Sequence, residues 1–372
     1  MTVDVETRRL ILCGFGRVGR TFARLLVDRA ALLRDAYGLA LRVVAVADLD
    51  GSACLPDAPR DAGDGLPPPG AVGDGLPLLD LAAHFEAKKS LGAFPDAGRP
   101  GWAGREVIER VAADVLVETT PTNITDGEPA LTHVRAALAR GLHVVSANKG
   151  PFLRHYGELR AAAARRGVAL KVSAAAAAAL PTLDVGQVAL AGARIAAFEG
   201  ILNGTTNYIL SRMAADGVAY AEALAEAQRL GIAEPDPRLD VEGHDTANKV
   251  VIIANAVLGA DLTRDHVQVE GIAQVTPEAI AGARRAGAVI KLIGRAAWEG
   301  GRLVASVKPM ALPFDHPLAG VQGSEKAITY HTDTMDRVTV MGGKSDPRGA
   351  AAALLKDIIN LYRAPGGAAG PP

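Results

Sequence analysis

A chain of 372 residues is long enough for two domains, each able to bury its own core. A formal net charge of −1 and an aromatic content of 4% leave no basic stripe and no stacking platform, which argues against a nucleic-acid partner. Two cysteines, Cys13 and Cys54, cannot build a disulfide framework, the acidic start MTVDVE has no apolar export segment, and the apolar run near 250–260 is too short to span a bilayer. A cytoplasmic protein with no membrane partner is expected.

In chain order, residues 9–14 (RLILCG) predict a buried strand. The turn Gly14-Phe15-Gly16-Arg17-Val18-Gly19 follows, then an amphipathic helix to about Arg34 and an apolar strand from Leu41 to Ala47 that ends at Asp48. Strand, glycine turn, helix, strand and terminal acid make a dinucleotide fingerprint: the glycines let backbone approach a pyrophosphate on the helix N-terminus, and the acid can accept from ribose hydroxyls. Asp48 favours NAD; Arg17 and Arg20 would instead suit the extra phosphate of NADP. Residues 51–78 turn rich in Gly, Pro and Asp, with GDGLP at both 63–67 and 73–77, and read as an expanded surface loop without assigned chemistry. A helix near 79–89, a strand at 114–118, a helix from about 128 to 140 and a strand at 143–145 continue the alternation. The fold class expected is α/β, a Rossmann-type doubly wound parallel sheet. Thr119, Thr120 and Asn123 end one strand, and Asn148 and Lys149 end the next, at the edge where such sheets bind ligands.

After residue 150 the pattern predicts a helix at 152–166, a strand at 168–173, an alanine run before Leu180-Pro181, a strand at 194–202, a helix after Gly204 and another at about 219–230. The stretch GIAEPDPRLDVEGHDTANK then runs straight into an apolar helix at 244–259. Charge there persists to Lys249 where a surface helix would shed it. Asp245 and Lys249 are four apart and share one helix face, and Glu234 and Asp240 lie in the Pro-punctuated approach, so the segment reads either as a solvated loop with one i,i+4 ion pair or as a pocket for a small zwitterion, and the rest of the chain decides between them. Residues 301–340 alternate like strands, 349–362 form an amphipathic helix, and 364–372 are expected to be disordered.

GFGRVGR, ETTPTN, VVSANKGP, GILNGTTNYIL and LGIAEPDPRLDVEGHDTANK occur in the order and spacing that resembles homoserine dehydrogenases, over about residues 9–363. The resemblance implies interconversion of L-homoserine and L-aspartate 4-semialdehyde with NAD or NADP, on the route to threonine and methionine, by a homodimer. It implies an NAD(P)-binding Rossmann domain at 1–150, a catalytic and dimerisation domain at 151–315, and a segment at 316–363 that completes the first. Gly14, Phe15, Gly16, Arg17, Val18, Gly19, Asp48, Thr119, Thr120, Asn148, Lys149 and Gly231 fall on the cofactor side. Glu234, Asp240, Asp245, Thr205 and Gly204 fall on the substrate side, and Lys249 and Lys149 carry proton transfer and electrostatic stabilisation. An unperturbed lysine titrates near 10.4, so a lysine base needs a second positive charge close by; Lys149 and Lys249 are expected to supply this for each other. His244, one position from Asp245, is expected to face away.

The chain departs from the family at three places. A glycine-rich turn opened by a glutamate, whose carbonyls hold a monovalent cation (Na+ or K+), is replaced by SAAAAAALP at 173–181, so an ion site would fall on the carbonyls of Ala176 and Ala178 without a carboxylate. A Gly-Ala-Gly turn beside the nicotinamide is replaced by GGKSDP, which brings in Lys344. No regulatory amino-acid-binding domain is expected after residue 363. The competing readings are another amino-acid or semialdehyde dehydrogenase of this architecture, with an acylating enzyme requiring a nucleophilic cysteine, and a non-catalytic NAD(P)-sensing Rossmann protein.

Overall fold

The structure, a computed structural model, describes residues 5–55, 75–343 and 346–363. Most of the two GDGLP stretches, Lys344 and the segment 364–372 fall outside these. The chain divides into two compact units, residues 1–175 with 350–372, and residues 176–349.

The first unit is built on a seven-stranded sheet: β1 (Glu6–Cys13), β2 (Leu39–Asp48), β3 (Gly51–Cys54), β4 (Gly98–Pro100), β5 (Val115–Glu118), β6 (His143–Ser146) and β7 (Leu170–Lys171), in the order β4-β3-β2-β1-β5-β6-β7. Strands β2, β1, β5, β6 and β7 are parallel, and β3 and β4 are added antiparallel at one edge. The central parallel strands β1 and β2 are buried on both faces over the runs LILC and VVAVA, which explains why these show no alternation. Register places Cys13 opposite both Ala47 and Glu118, so the glycine turn, Asp48 and Thr119 emerge at one edge. The expected first helix is two, α1 (Arg17–Asp28) and α2 (Ala30–Tyr37), because the chain turns at Arg29 before burying Leu33. Helices α3 (Leu78–Lys88), α4 (Gly104–Arg110), α5 (Ala130–Ala139) and α6 (Tyr156–Arg166) follow. Cys54 closes β3 rather than lying in a loop.

The second unit carries a six-stranded sheet of β8 (Ile195–Ile201), β9 (Val267–Val269), β10 (Ala288–Glu299), β11 (Arg302–Pro313), β12 (Lys326–Thr332) and β13 (Arg337–Gly342), in the order β13-β12-β8-β10-β11-β9. All its pairings are antiparallel except β11 with β9. The short helix α7 (Ser173–Ala176) carries the chain across the boundary between the units, and within the second unit α8 (Thr182–Asp184), α9 (Gly204–Asp216), α10 (Tyr220–Arg229), α11 (Arg238–Val241), α12 (His244–Val257) and α13 (Pro277–Arg285) follow. Helix α12 is buried from Asp245 to Asn255, which is why its sequence is apolar on nearly all sides. No helix among the described residues is long and apolar enough to cross a membrane.

These memberships draw the domain boundaries differently from the sequence. The first unit extends past 150 to 175 because α6 and β7 complete its sheet, with β7 paired to β6. Residues 316–349 belong to the second unit because β12 pairs with β8; the return to the first unit begins only at Ala350, within α14 (Pro347–Tyr362). Leu354 and Ile358 of α14 join Leu10, Leu12, Phe22 and Leu26 in the first unit's core.

Asp357 ties that returning helix down. It is 1% exposed, and its carboxylate accepts from the backbone N–H of Ser173 (3.2 Å) and the Ser173 hydroxyl (2.9 Å), with the Lys356 ammonium at 2.9 Å. Asp357→Ala strands these donors at a cost of about 2 kcal/mol, and differential scanning fluorimetry should show a thermal midpoint lower by roughly 5 °C.

Candidate active site

The dinucleotide cradle is assembled at the C-terminal ends of β1, β2 and β5. Gly14 donates to Ala47 O (2.8 Å), Thr119 donates from its hydroxyl to Gly14 O (2.6 Å), and Phe15 N–H donates to the Asp48 carboxylate (2.5 Å). Gly14 has φ +90°, and a Cβ there would sit 2.4 Å from Thr120 N; a Cβ on Gly19 would sit 2.2 Å from Gly14 O. Both must be glycine for α1 to approach the sheet. Gly16, the N-cap of α1, has open space where its Cβ would be, so the first turn of a twelve-residue helix is accessible to an anionic group. Asp48 accepts one backbone N–H on each oxygen, the second from Leu49 (2.8 Å), and a carboxylate with two further lone-pair sites can still accept from ribose hydroxyls. Arg20 donates to Phe15 O (2.7 Å), pairs with Glu86 and lies over the Phe85 ring, whereas Arg17 is exposed. Phe15 itself is core, edge-on to Phe85, and Val18 is half-buried. These residues fit a dinucleotide.

The neighbouring strand ends are locked by two side chains. Asn148 donates to Thr120 O (3.0 Å), the Thr120 hydroxyl (3.1 Å) and Pro121 O (3.1 Å), and accepts from Gly150 N–H (2.9 Å). Glu118, fully buried, accepts from Thr120 N–H (2.7 Å) and the Thr120 hydroxyl, while its other oxygen meets His133 Nδ1 at 2.8 Å. Glu118 and His133 were not singled out in the sequence, although a carboxylate ending an otherwise apolar strand was the signal. Asn123 turns away into a loop with Asp126 (2.6 Å). Lys149 is half-buried.

In the second unit Asn203 organises a buried polar cluster. As N-cap of α9 it accepts from Thr206 N–H (2.9 Å), which fixes the amide so that its two N–H groups reach Asp240 (2.7 Å) and Asp245 (2.9 Å). Lys249, one turn along α12 from Asp245, donates to that carboxylate (2.6 Å) and to Leu202 O (2.7 Å). Two carboxylates and one ammonium leave a net charge of −1. Burial and then the Asp245 charge push the Asp240 carboxyl above its ordinary range, partly offset by bonds from Asn203 and Thr205. Thr205 also donates to Ile232 O (3.2 Å), and Gly204 packs so closely that a Cβ would be 2.7 Å from Ser324 O.

Of the residues expected here, Asp240, Asp245, Lys249, Thr205 and Gly204 come together. Glu234 does not: it is exposed, with Gln228 donating to its backbone carbonyl (3.3 Å). Gly231 is also exposed, on the turn after α10. Asp236 is held by Arg238 (2.6 Å), which lowers its carboxyl to about 2, and Glu242 pairs with His244 (3.3 Å). His244 also meets Arg264 and takes no part in the Asn203 cluster. Lys149 belongs to the first unit and Lys249 to the second. Cys13 and Cys54 are buried thiols pushed up by that burial, the opposite of an activated nucleophile.

In the alanine turn Ala178, one of the two residues expected to offer a carbonyl to a cation, adopts φ +53°; 173–181 holds no carboxylate, and the carbonyl of Ala177, between Ala176 and Ala178, accepts from the Lys326 ammonium at 2.8 Å.

Residues 181–359 match the family model for homoserine dehydrogenase, and residues 14–173 match that for the homoserine dehydrogenase NAD-binding domain. A homoserine dehydrogenase of Methanocaldococcus jannaschii is 39% identical over 356 residues, 95% of this chain and 98% of that protein. An NAD(+)-dependent homoserine dehydrogenase of Pseudomonas canavaninivorans is 38% identical, over 95% of this chain and 96% of that protein. The solved structure of a homoserine dehydrogenase from Thiobacillus denitrificans gives a TM-score of 0.77 at 29% identity, over 97% of this chain and 74% of that one.

The raised Asp240 carboxyl sets a pH dependence. As pH falls toward the raised value Asp240 gains a proton and its attraction for a cationic ligand is lost, so KM for an ammonium-bearing substrate should climb earlier than an ordinary carboxylate would allow. Asp240→Asn should raise KM at neutral pH roughly 10- to 100-fold and remove that acid-side climb, both read from initial rates across pH.

Proposed function

The chain belongs to the homoserine dehydrogenase family, NAD(P)-dependent oxidoreductases, and on that premise we propose which of its residues perform the reaction. The observation that carries the reading is the Asn203-bridged pair of carboxylates with Lys249 beside it. Homoserine carries an ammonium, a carboxylate and a primary alcohol. A pocket of net charge −1 attracts the ammonium, and Asp240 and Asp245 are its natural partners, with Thr205 orienting. Glu234, exposed on the loop above, joins the substrate only at the rim.

Lys249 is assigned the hydroxyl proton. Two of its three N–H groups are spoken for by Asp245 and Leu202 O, so its place is fixed and one N–H remains for a substrate oxygen. In the reductive direction the Lys249 ammonium gives its remaining proton to the carbonyl oxygen and becomes the neutral amine; in the oxidative direction that neutral amine takes the alcohol proton on its lone pair and becomes the ammonium. Lys149, ending β6 in the first unit, is assigned the family's second lysine role, a positive field for the developing alkoxide. Gly14, Phe15, Gly16, Arg17, Val18 and Gly19 would hold the dinucleotide, with Asp48 on the ribose and Thr119, Thr120 and Asn148 shaping the edge next to it. When bound, the nicotinamide supplies the hydride acceptor.

Two observations favour NAD over NADP: Asp48 stands where a 2′-phosphate would bring a like charge, and Arg20 is committed to Phe15 O and Glu86. The Pseudomonas canavaninivorans relative is itself described as NAD(+)-dependent. We place the enzyme in the cytoplasm, in threonine and methionine biosynthesis, as a homodimer; exposed Val304 and Met341, which the register puts on the same face of the six-stranded sheet, support a covered face.

Initial rates followed at the reduced nicotinamide absorbance, with L-homoserine and each cofactor in parallel, should give kcat/KM at least about tenfold higher with NAD+ than with NADP+, the effect of one unfavourable charge contact. No turnover with either would favour the sensing protein. Lys249→Ala should cut kcat by roughly 10²- to 10⁴-fold while leaving dinucleotide affinity, read by fluorescence titration, unchanged; near-normal turnover would remove Lys249 from the proton-transfer role.

A further inference from the structure

The segment 176–182 is a carbonyl-lined turn that the second unit grips from one strand. Along β12 the side chains of Lys326, Ile328 and Tyr330 share a face at the two-residue period. All three are buried, Lys326 at 1% exposure. The two polar ends of this row meet the turn: Lys326 Nζ donates to Ala177 O (2.8 Å) and the Tyr330 hydroxyl to Thr182 O (2.6 Å). From the other side Gly343 is seated so tightly that a Cβ would fall 2.8 Å from Leu180 N and 2.9 Å from the Ala179 carbonyl carbon. Ala178 holds φ +53°, a left-handed conformation that costs an alanine about 1 kcal/mol or more and persists only where surroundings impose it.

A turn strained in this way, with a carbonyl converging on a buried positive charge, is what a monovalent cation would otherwise organise. We propose that the Lys326 ammonium is the resident cation of this turn, a positive charge tethered to β12, and that the protein needs neither Na+ nor K+ at that position. The ammonium carries the same charge as an alkali ion and satisfies a carbonyl oxygen directly, but it is covalently supplied and directional. That arrangement also accounts for the chemistry of 173–181: with the charge brought in from β12, no acidic side chain is needed there to attract an ion. The inference is independent of the catalytic roles assigned above, since it concerns only how the second unit holds its own turn.

The test is thermal unfolding of the intact protein in NaCl, KCl or tetramethylammonium chloride at about 0.1 M each, an ionic strength that screens surface charges alike, with ²³Na line widths recorded in parallel. The wild-type midpoint should agree across the three salts to within about 1 °C, and ²³Na should show no excess broadening that K+ displaces. Lys326→Met should lower the midpoint by about 5 °C in tetramethylammonium chloride, and Lys326→Arg, which keeps the charge, should recover part of that loss. A saturable, ion-selective rise in the wild-type midpoint, or sodium broadening displaced by potassium, would overturn the proposal; so would a Lys326→Met protein as stable as wild type. If Lys326→Met fails to fold, the wild-type salt series and Lys326→Arg still decide.

Discussion

One side-chain amide makes the polar centre of the second unit possible. Asn203 has two N–H groups and gives one to Asp240 and the other to Asp245, while its oxygen is fixed as the N-cap of α9. The raised Asp240 carboxyl reflects burial first and the like charge of Asp245 second. The amide neutralises nothing, yet it holds both carboxylates in one corner and points them the same way. Lys249 then balances one of the two charges, and the remaining negative charge defines what the corner will accept. A small cation with its own hydrogen-bond donors would balance that charge; a neutral alcohol alone would not.

The same reasoning separates what the sequence disclosed from what it concealed. The glycine turn, Asp48 and the Asp245–Lys249 spacing are local, set by rules that operate over four to some thirty residues, and they were legible. The groups that complete each site are remote in the chain: Asn203 lies 37 and 42 residues from its two carboxylates, Lys326 is 149 from Ala177, and Asp357 is 184 from Ser173. No periodicity links such pairs; only the fold brings them into contact. Glu234 differs in the opposite sense: its place in a charged segment suggests convergence, but its side chain is exposed and stands apart from the Asn203 cluster. Strand β10 was missed because Lys291 interrupts its apolar run, and a lysine in a strand reads as surface until its burial is known.

Lys291 also shows why buried lysine alone does not identify a proton carrier. Burial draws its ammonium down to about 8, closer to neutrality than an ordinary lysine and closer to what a general base requires. By that criterion alone it would be taken for a proton carrier. Its hydrogen bonds argue otherwise. Lys291 Nζ donates to Asn207 Oδ1 (3.0 Å), the Ser211 hydroxyl (3.4 Å) and Val321 O, which uses all three of its donors on the protein. Lys249 uses two, on Asp245 and Leu202 O, and keeps one. A proton can pass only along a hydrogen bond that the substrate can join, and of these two lysines Lys249 is the one that keeps a hydrogen-bonding position for it, which is the ground on which the proton-transfer role is proposed for Lys249 rather than Lys291. Lys291 fastens α9 to β10, and its lowered proton affinity reflects its burial in that joint.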